Sequence, residues 1–380
     1  MRIGVNALGL IPGEVGGAET YLRRTLDAMV RIFPEHEFVV FGNRENRQAL
    51  AEDLRSHGNV TLVDLKFRAE SRVRRILVEQ GAFPSLLRKT AVDVLWNPGY
   101  VTPLRAPCPR LTAVLDMQYR RFPEDLPPVG LRATQLLVGA ALRYSEGIVT
   151  ISEFSRQEIL AFSRVPFDRI AVTSLAADES FSVPLPGAFL AERIMTLLHG
   201  ADPYVLVVSN SYPHKSLETA VEAFGRILPE IPHRLVVVGQ PRLGEPAVEA
   251  AIGALPDPGR VVRLRHVSRQ DLVALYQGAD AFVFPSRYEG FGLPVLEAMM
   301  AGIPVLASRA GSIPEVGGDA VRYAAAGDAE AFAAELRSLL FMTQEKRAAM
   351  TAAARTRARG FSWEATARGT MEACLRVIER

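Results

Sequence analysis

Short apolar runs without polar alternation recur along the chain, separated by stretches in which apolar residues return every three or four positions. The first half carries such runs at 2–8, 38–43, 60–65, 92–98, 110–116, 147–152 and 169–175. The second half carries them at 204–210, 234–240, 261–267, 281–286, 304–308 and 320–324. Continuous rather than alternating apolar strands predict sheets covered on both faces. Helical spacing predicts helices over 18–32, 131–144, 153–162, 217–227, 268–277 and 329–340. Ser152 and Ser268 stand at N-cap positions, and Asp271 completes an S-x-x-D capping box. Strand and helix alternate through both halves, which predicts an α/β chain of two doubly wound parallel-sheet domains. The pattern breaks in 177–195, where Pro and Gly interrupt it, so the domains are expected at 1–185 and 186–360. Residues 361–380 read as a last helix with one apolar face, expected to pack back on the N-terminal domain. Open α/β sheets take ligands at the C-terminal ends of their strands, so the site is expected in a cleft between the domains.

Composition mostly excludes. The 380 residues are 48% hydrophobic and 23% charged, as in ordinary globular proteins. Lys and Arg number 44 against 42 Asp and Glu, which lacks the basic excess of a nucleic-acid binder. The two cysteines, Cys108 and Cys374, form no CxxC and suit a reducing compartment. The opening MRIGVNALGLIPGEVGG reaches Pro, Gly and Glu too early for a signal peptide, and no apolar run is long enough to span a membrane. A soluble, cytoplasmic protein is the expectation.

The stretch YEGFGLPVLEAMMAGIPVLAS, 288–308, holds Glu289 and Glu297 around a Gly-Phe-Gly turn and a proline. Pro294 suits the first position of a helix running to Met300, because its missing N–H would have no partner there. Gly290 and Gly292 allow tight backbone geometry, and the N–H groups of Phe291, Gly292 and Leu293 would be free at the positive end of the helix. That arrangement binds phosphate. Acids in a first helical turn are also explained by the helix dipole alone. A phosphate turn bracketed by two acids suits instead a ligand with hydroxyls beside its phosphate, since a carboxylate accepts from a vicinal diol.

With these residues in place, the segment from Glu289 to Glu297, EGFGLPVLE, resembles the E-x7-E signature of retaining family 4 glycosyltransferases (glycosyltransferase group 1). GEVGGAETYLRRTL (13–26) is similar to the family's opening Gly-Gly-x-Glu loop and helix, and YVLVVSNSYPHKSLETAVEAF (204–224) to the strand, loop and Lys that open its second domain. TISEFSRQEI (150–159) and FSWEATA (361–367) are also family-like, while LDMQYRRFPED (115–125) is nearest the mannosyltransferase-like branch. The resemblance implies the GT-B fold, two Rossmann-like domains facing across a cleft. It also implies transfer of a hexose, with mannose the named candidate, from a GDP- or UDP-linked sugar to a glycan or lipid-linked acceptor in polysaccharide assembly. On this resemblance Glu289 contacts donor-sugar hydroxyls, Glu297 the ribose and Lys215 the diphosphate. Ser209 and Asn210 stand where many relatives carry Gly and Arg; Asn210 can hydrogen-bond a phosphate but brings no charge. Gly16 and Gly17 would come up against the diphosphate, and His266 and Val267 would seat the base.

No DxD triplet occurs, in agreement with metal-free departure of the nucleotide and no cofactor. The family's usual His-Asp after the fifth strand is Leu115-Asp116 here, which leaves Asp116 to contact an acceptor or donor hydroxyl, or to end a strand. The basic segment 66–89 reads two ways, as a solvated helix or as a peripheral contact with an anionic membrane. A nucleotide-sugar 2-epimerase of the same fold, or a nucleotide-sugar-binding protein without catalysis, is the alternative. A nicotinamide enzyme is disfavoured, because no G-x-G-x-x-G follows the first strand.

Overall fold

Each apolar run becomes a parallel strand. In the computed structural model, which describes residues 1–13 and 16–380, the first half holds β1 (Arg2–Asn6), β2 (Glu37–Gly42), β3 (Val60–Asp64), β4 (Val94–Asn97), β5 (Arg110–Ala113), β6 (Gly147–Thr150) and β7 (Ile170–Val172). They form one sheet in the order β3-β2-β1-β4-β5-β6-β7. The second half holds β8 (Tyr204–Val208), β9 (Arg234–Val238), β10 (Val261–Leu264), β11 (Ala281–Phe284), β12 (Val305–Ser308) and β13 (Arg322–Ala324), ordered β10-β9-β8-β11-β12-β13. Every pairing is parallel, with Ile3 beside Phe38 and Val94 in one sheet and Val205 beside Leu235 and Ala281 in the other. Coverage on both faces holds inside the sheets and weakens at their edges. Thr61 and Leu62 of β3 are exposed, and β10 is only half-buried along its length.

The chain divides into two compact units, Met1–Leu175 with Ser362–Arg380, and Ala176–Phe361. The break falls ten residues before the expected boundary at 185–186 (185 − 175). Residues 176–185 belong to the second unit because Phe181 packs edge-on against Tyr276 at 5.1 Å. The Gln277 side chain also donates to the Val183 carbonyl (2.8 Å) and accepts from the Leu185 N–H (2.9 Å). The helix Gly187–Leu198 then starts inside the stretch expected to be a linker. Helices Leu217–Ile227 and Ala329–Leu340 bury Phe224, Phe332, Leu336 and Leu339 against Val205, Val237, Val283 and Leu306 of the second sheet. Buried contacts of this kind stabilise by roughly 25 cal/mol per Å² of apolar surface.

The last helix, Trp363–Ile378, lies in the first unit, capped by Ser362 accepting from the Ala365 N–H at 3.1 Å. It buries Ala367, Met371, Cys374 and Val377. Glycine at position 147 leaves room for Val377, and Thr366 donates to the Ser174 carbonyl. No helix among the described residues is long and apolar enough to cross a membrane.

Candidate active site

The second unit gathers its candidate residues at the C-terminal ends of β8, β10 and β11. After β8 the chain passes through Ser209 and Asn210 into the 3-10 turn Pro213–Lys215. Ser216 then turns left-handed (φ 53°) before the helix Leu217–Ile227. A non-glycine residue in that conformation costs about 1–2 kcal/mol, so its surroundings must hold it. They do so from β11's following loop: Arg287 N–H donates to the His214 carbonyl (2.7 Å) and Arg287 Nε to Ser216 Oγ (3.1 Å). This clamp sets Lys215 against the loop that carries Glu289. Lys215 Nζ lies 2.6 Å from Glu289 Oε1, with Lys215 half-buried and Glu289 buried. His214 is buried beside them, stacked on Tyr212. Burial, and then Lys215, push its imidazole down to about 3 against the pull of Glu289, so it is neutral.

The helix after the turn is Leu293–Ala301, so Leu293 rather than Pro294 takes the first position. Gly292 caps it at φ 97°, a geometry that suits glycine. The first backbone bonds run from Val295 and Leu296 to the Gly292 carbonyl (3.0 and 3.4 Å), leaving the preceding N–H groups ahead of the ladder. Glu297 is the fifth residue of the helix, beyond the first turn, which holds no acid. The dipole therefore does not explain it. It is buried, accepting from Tyr276 Oη at 3.0 Å, with Arg269 Nη1 at 3.9 Å from its other oxygen. Burial pushes its carboxyl up to about 7, Arg269 and Tyr276 pull it back in part, and Asp178 adds to the rise. Arg269 is half exposed, pairs with Asp178 at 3.3 Å and lies over the Phe181 ring.

Glycines lock these loops together. At Gly311 (φ 58°) a Cβ would meet the Glu289 backbone N and O at 2.8 Å, and Ser312 Oγ donates to the Glu289 carbonyl (3.0 Å). Gly239 sits directly against Ser209, and the Gly244 N–H donates to the Ser211 carbonyl (2.7 Å). Asn210 Oδ1 accepts from the Gln240 N–H (2.8 Å), so that oxygen braces the loop. Gln240 in turn reaches His266 Nε2 (2.8 Å); His266 is exposed and Val267 half-buried just past β10.

In the first unit Gly16 (φ 52°) caps the helix Gly17–Ile32, and both glycines are exposed. A Cβ at either would meet nothing within 4 Å. Glu19 accepts from the Gly13 N–H (2.8 Å) and from Arg23 (2.9 Å). Glu14 and Val15 of the same loop lie outside the described residues. Asp116 is half-buried beyond β5 and accepts from the Gln118 N–H at 3.1 Å, while Leu115 is buried.

The structure thus brings Lys215 and Glu289 into contact and seats Glu297 in the same loop-and-helix segment. Ser209, Asn210 and His266 belong to one braced set of strand ends. Sequence reasoning missed His214, Arg269, Tyr276 and Gly311. Arg269 follows the capping Ser268 directly, which was the available signal.

Two doubly wound parallel sheets, with charged groups collected at strand ends, define the GT-B architecture of glycosyltransferases. A crystal structure of the Anabaena protein HepE in complex with UDP-glucose superposes with a TM-score of 0.74 at 18% identity, covering 99% of this chain and 100% of that one. In sequence, the chain is 31% identical over 257 residues to O-antigen chain mannosyltransferase B of Escherichia coli, covering 67% of each. It is 30% identical over 184 residues to the serotype-specific mannosyltransferase WbdA of Escherichia coli, covering 47% of this chain and 22% of that longer protein. Glycosyltransferase Family 4 matches residues 15–181, and Glycosyl transferases group 1 matches residues 192–357. The chain belongs to this glycosyltransferase family.

Proposed function

We propose that the chain is a retaining, metal-independent hexosyltransferase that moves mannose from a GDP- or UDP-linked donor to a glycan or lipid-linked acceptor in polysaccharide assembly. The Lys215–Glu289 contact carries this reading. An ammonium and a buried carboxylate 2.6 Å apart suit one ligand with an anionic group next to hydroxyls. The diphosphate would draw Lys215 to itself, and sugar hydroxyls would take its place on Glu289. The departing diphosphate develops charge that Lys215 and the N–H groups of Phe291, Gly292 and Leu293 stabilise. Glu297 takes the ribose diol, Ser209 and Asn210 flank the phosphates, and His266 and Val267 seat the base. As the C1–O bond to the phosphate breaks, the acceptor oxygen bonds C1 on the same face, and its proton passes to the departing phosphate oxygen. Asp116 holds an acceptor hydroxyl. The named activity of the Escherichia coli O-antigen relative supports mannose, and the UDP-glucose in the HepE crystal supports a nucleotide sugar.

Peripheral contact with an anionic membrane through 66–89 belongs to the same proposal. The helix Arg72–Gln80 turns Val73 (69%) and Leu77 (67%) outward beside exposed Arg74. Unpaired Cys108 and Cys374 fit work on the cytoplasmic side. A panel of nucleotide sugars in thermal-shift and nucleotide-release assays tests the activity, since a bound donor raises the melting temperature by mass action. No shift and no release with any of them would remove the reading. Flotation with anionic vesicles at low salt tests the membrane part separately.

A further inference from the structure

The first sheet reverses its strand order between β1 and β4, running out through β2 to β3 on one side and through β5 and β6 to β7 on the other. Such a switch point opens a crevice at the strand ends where α/β sheets bind ligands. The last residues of the two strands there are both Asn. Asn6 Nδ2 donates to Asn97 Oδ1 (2.9 Å) and to Glu79 Oε1 (2.6 Å), and Asn97 Nδ2 donates to Thr102 Oγ1 (3.1 Å). Glu79 arrives from the helix Arg72–Gln80, whose Val73 and Leu77 face outward and whose Val78 packs on the core, while Glu79 is 4% exposed. Its second oxygen, Oε2, takes no hydrogen bond from any described residue. A buried acid with one amide donor is a costly structural tie, because burial of a carboxylate is tolerated only with partners. Burial accordingly pushes this carboxyl up to about 7, with Asn6 and then Arg75 pulling it partly back.

We propose that Glu79 is a saccharide-recognition residue of the first unit, its free oxygen accepting a hydrogen bond from an acceptor-sugar hydroxyl while Asn6 and Asn97 fix its direction. The assignment rests on the transferase reading above and deepens it by naming the group that reads the acceptor. A neutral polyol is the ligand class, since hydroxyls supply the hydrogen-bond donors this oxygen lacks. The carboxylate acts by binding and takes no part in bond making.

Glu79→Gln tests it, because the amide oxygen still accepts from Asn6 while the group offered to the ligand becomes a donor. The KM for the acceptor should rise about tenfold while the KM for the donor stays within twofold, with the melting temperature held or raised. Equal effects on both substrates, or none on the acceptor, would overturn the proposal. If no nucleotide sugar is turned over, the transferase reading fails and a binding arm decides this proposal on its own. In that arm, methyl α-mannoside and an α-linked mannobiose are added to the unmodified protein, and the side-chain amide resonances of Asn6 and Asn97 are followed by NMR. Their movement supports the subsite, and their indifference to both sugars overturns it, whether or not the variant folds.

Discussion

The glycine-bearing loops at the strand ends of the two units are built on different terms. In the second unit the loops are fastened to one another, with Gly239 against Ser209, Gly244 bonded to Ser211 and Gly311 pressed on the Glu289 backbone. In the first unit Gly16 and Gly17 stand in open space, and only Gly16 has a backbone angle that calls for glycine. Their buried acids differ as well. Glu297 has a hydroxyl on one oxygen and a guanidinium near the other, whereas Glu79 has one amide. The second unit therefore holds Lys215, Glu289 and Glu297 in fastened loops, and the first holds a loop and a carboxyl group short of partners. Preorganised groups contribute most where charge develops in the reaction.

The largest effects should come from the preformed pair. Glu289→Ala is expected to lower turnover by two orders of magnitude or more, as loss of a positioned electrostatic group commonly does, while leaving nucleotide binding mostly intact. Lys215→Ala should instead weaken the donor roughly 10- to 100-fold, the scale of a lost charge-assisted hydrogen bond. Initial rates with varied donor, beside donor titrations by calorimetry, separate the two. A fully active Glu289→Ala protein would dissolve the contrast between a committed second unit and an unfilled first one.

Next in size is the fastening itself. Gly311→Ala adds a Cβ 2.8 Å from the Glu289 backbone at a left-handed φ, so it should destabilise the second unit by about 3 kcal/mol. It should also displace Glu289 and depress turnover beyond the loss of folded protein. Chemical denaturation and rates on the folded fraction check both.

These assignments differ in how legible they were. All seven apolar runs of the first half and all six of the second became strands, because a strand buried on both faces writes itself as unbroken Val, Ile and Leu. Glu289 and Glu297 were readable because turn chemistry and acids coincide in a short segment, and Lys215 because its strand and loop resemble the family's. Tyr276 was hidden, since an aromatic at helical spacing reads as core, and only the folded chain shows its hydroxyl on Glu297. Gly311 lies 22 positions from Glu289 in sequence (311 − 289), and no local pattern announces that approach. Glu79 was read as part of a basic surface run. The run's apolar residues gave the helical period correctly, yet the helix turns Val73 and Leu77 outward and buries the acid. Periodicity fixes which residues share a face, while tertiary packing chooses which face goes in.

A smaller effect compares the two buried acids directly. Burial raises both carboxyls from the ordinary 4.5 to about 7. Between those values the folded chain holds more protons than the unfolded one, so stability falls as pH rises through that window. Each acid should cost on the order of 2–3 kcal/mol once the pH exceeds 7. Glu297→Gln and Glu79→Gln should therefore each gain on the parent protein between pH 4.5 and 7.5, followed by denaturant melts across that range. A smaller gain for Glu297→Gln would show that Arg269 and Tyr276 hold their acid more firmly than Asn6 holds Glu79. A stability difference independent of pH would mean that neither carboxyl is raised.

The smallest effect on folding bears most directly on what the open loop is for. Gly17 begins the helix Gly17–Ile32 with ordinary helical geometry and free space where a Cβ would go. Gly17→Ala should thus stabilise the first unit by about 0.5 kcal/mol, because alanine loses less backbone freedom on folding. No packing reason keeps glycine there. A backbone that must approach a ligand closely supplies one, and in that case the same substitution weakens nucleotide-sugar binding several-fold while the melting temperature rises or holds. Gly16→Ala is the control, since its φ of 52° makes alanine strained with or without ligand. Stability and affinity moving in opposite directions at position 17, and together at position 16, would separate a glycine kept for the ligand from one kept for the turn. If Gly17→Ala leaves affinity unchanged, the open loop is plain surface, and recognition by the first unit has to be sought at Glu79 and Asp116 instead.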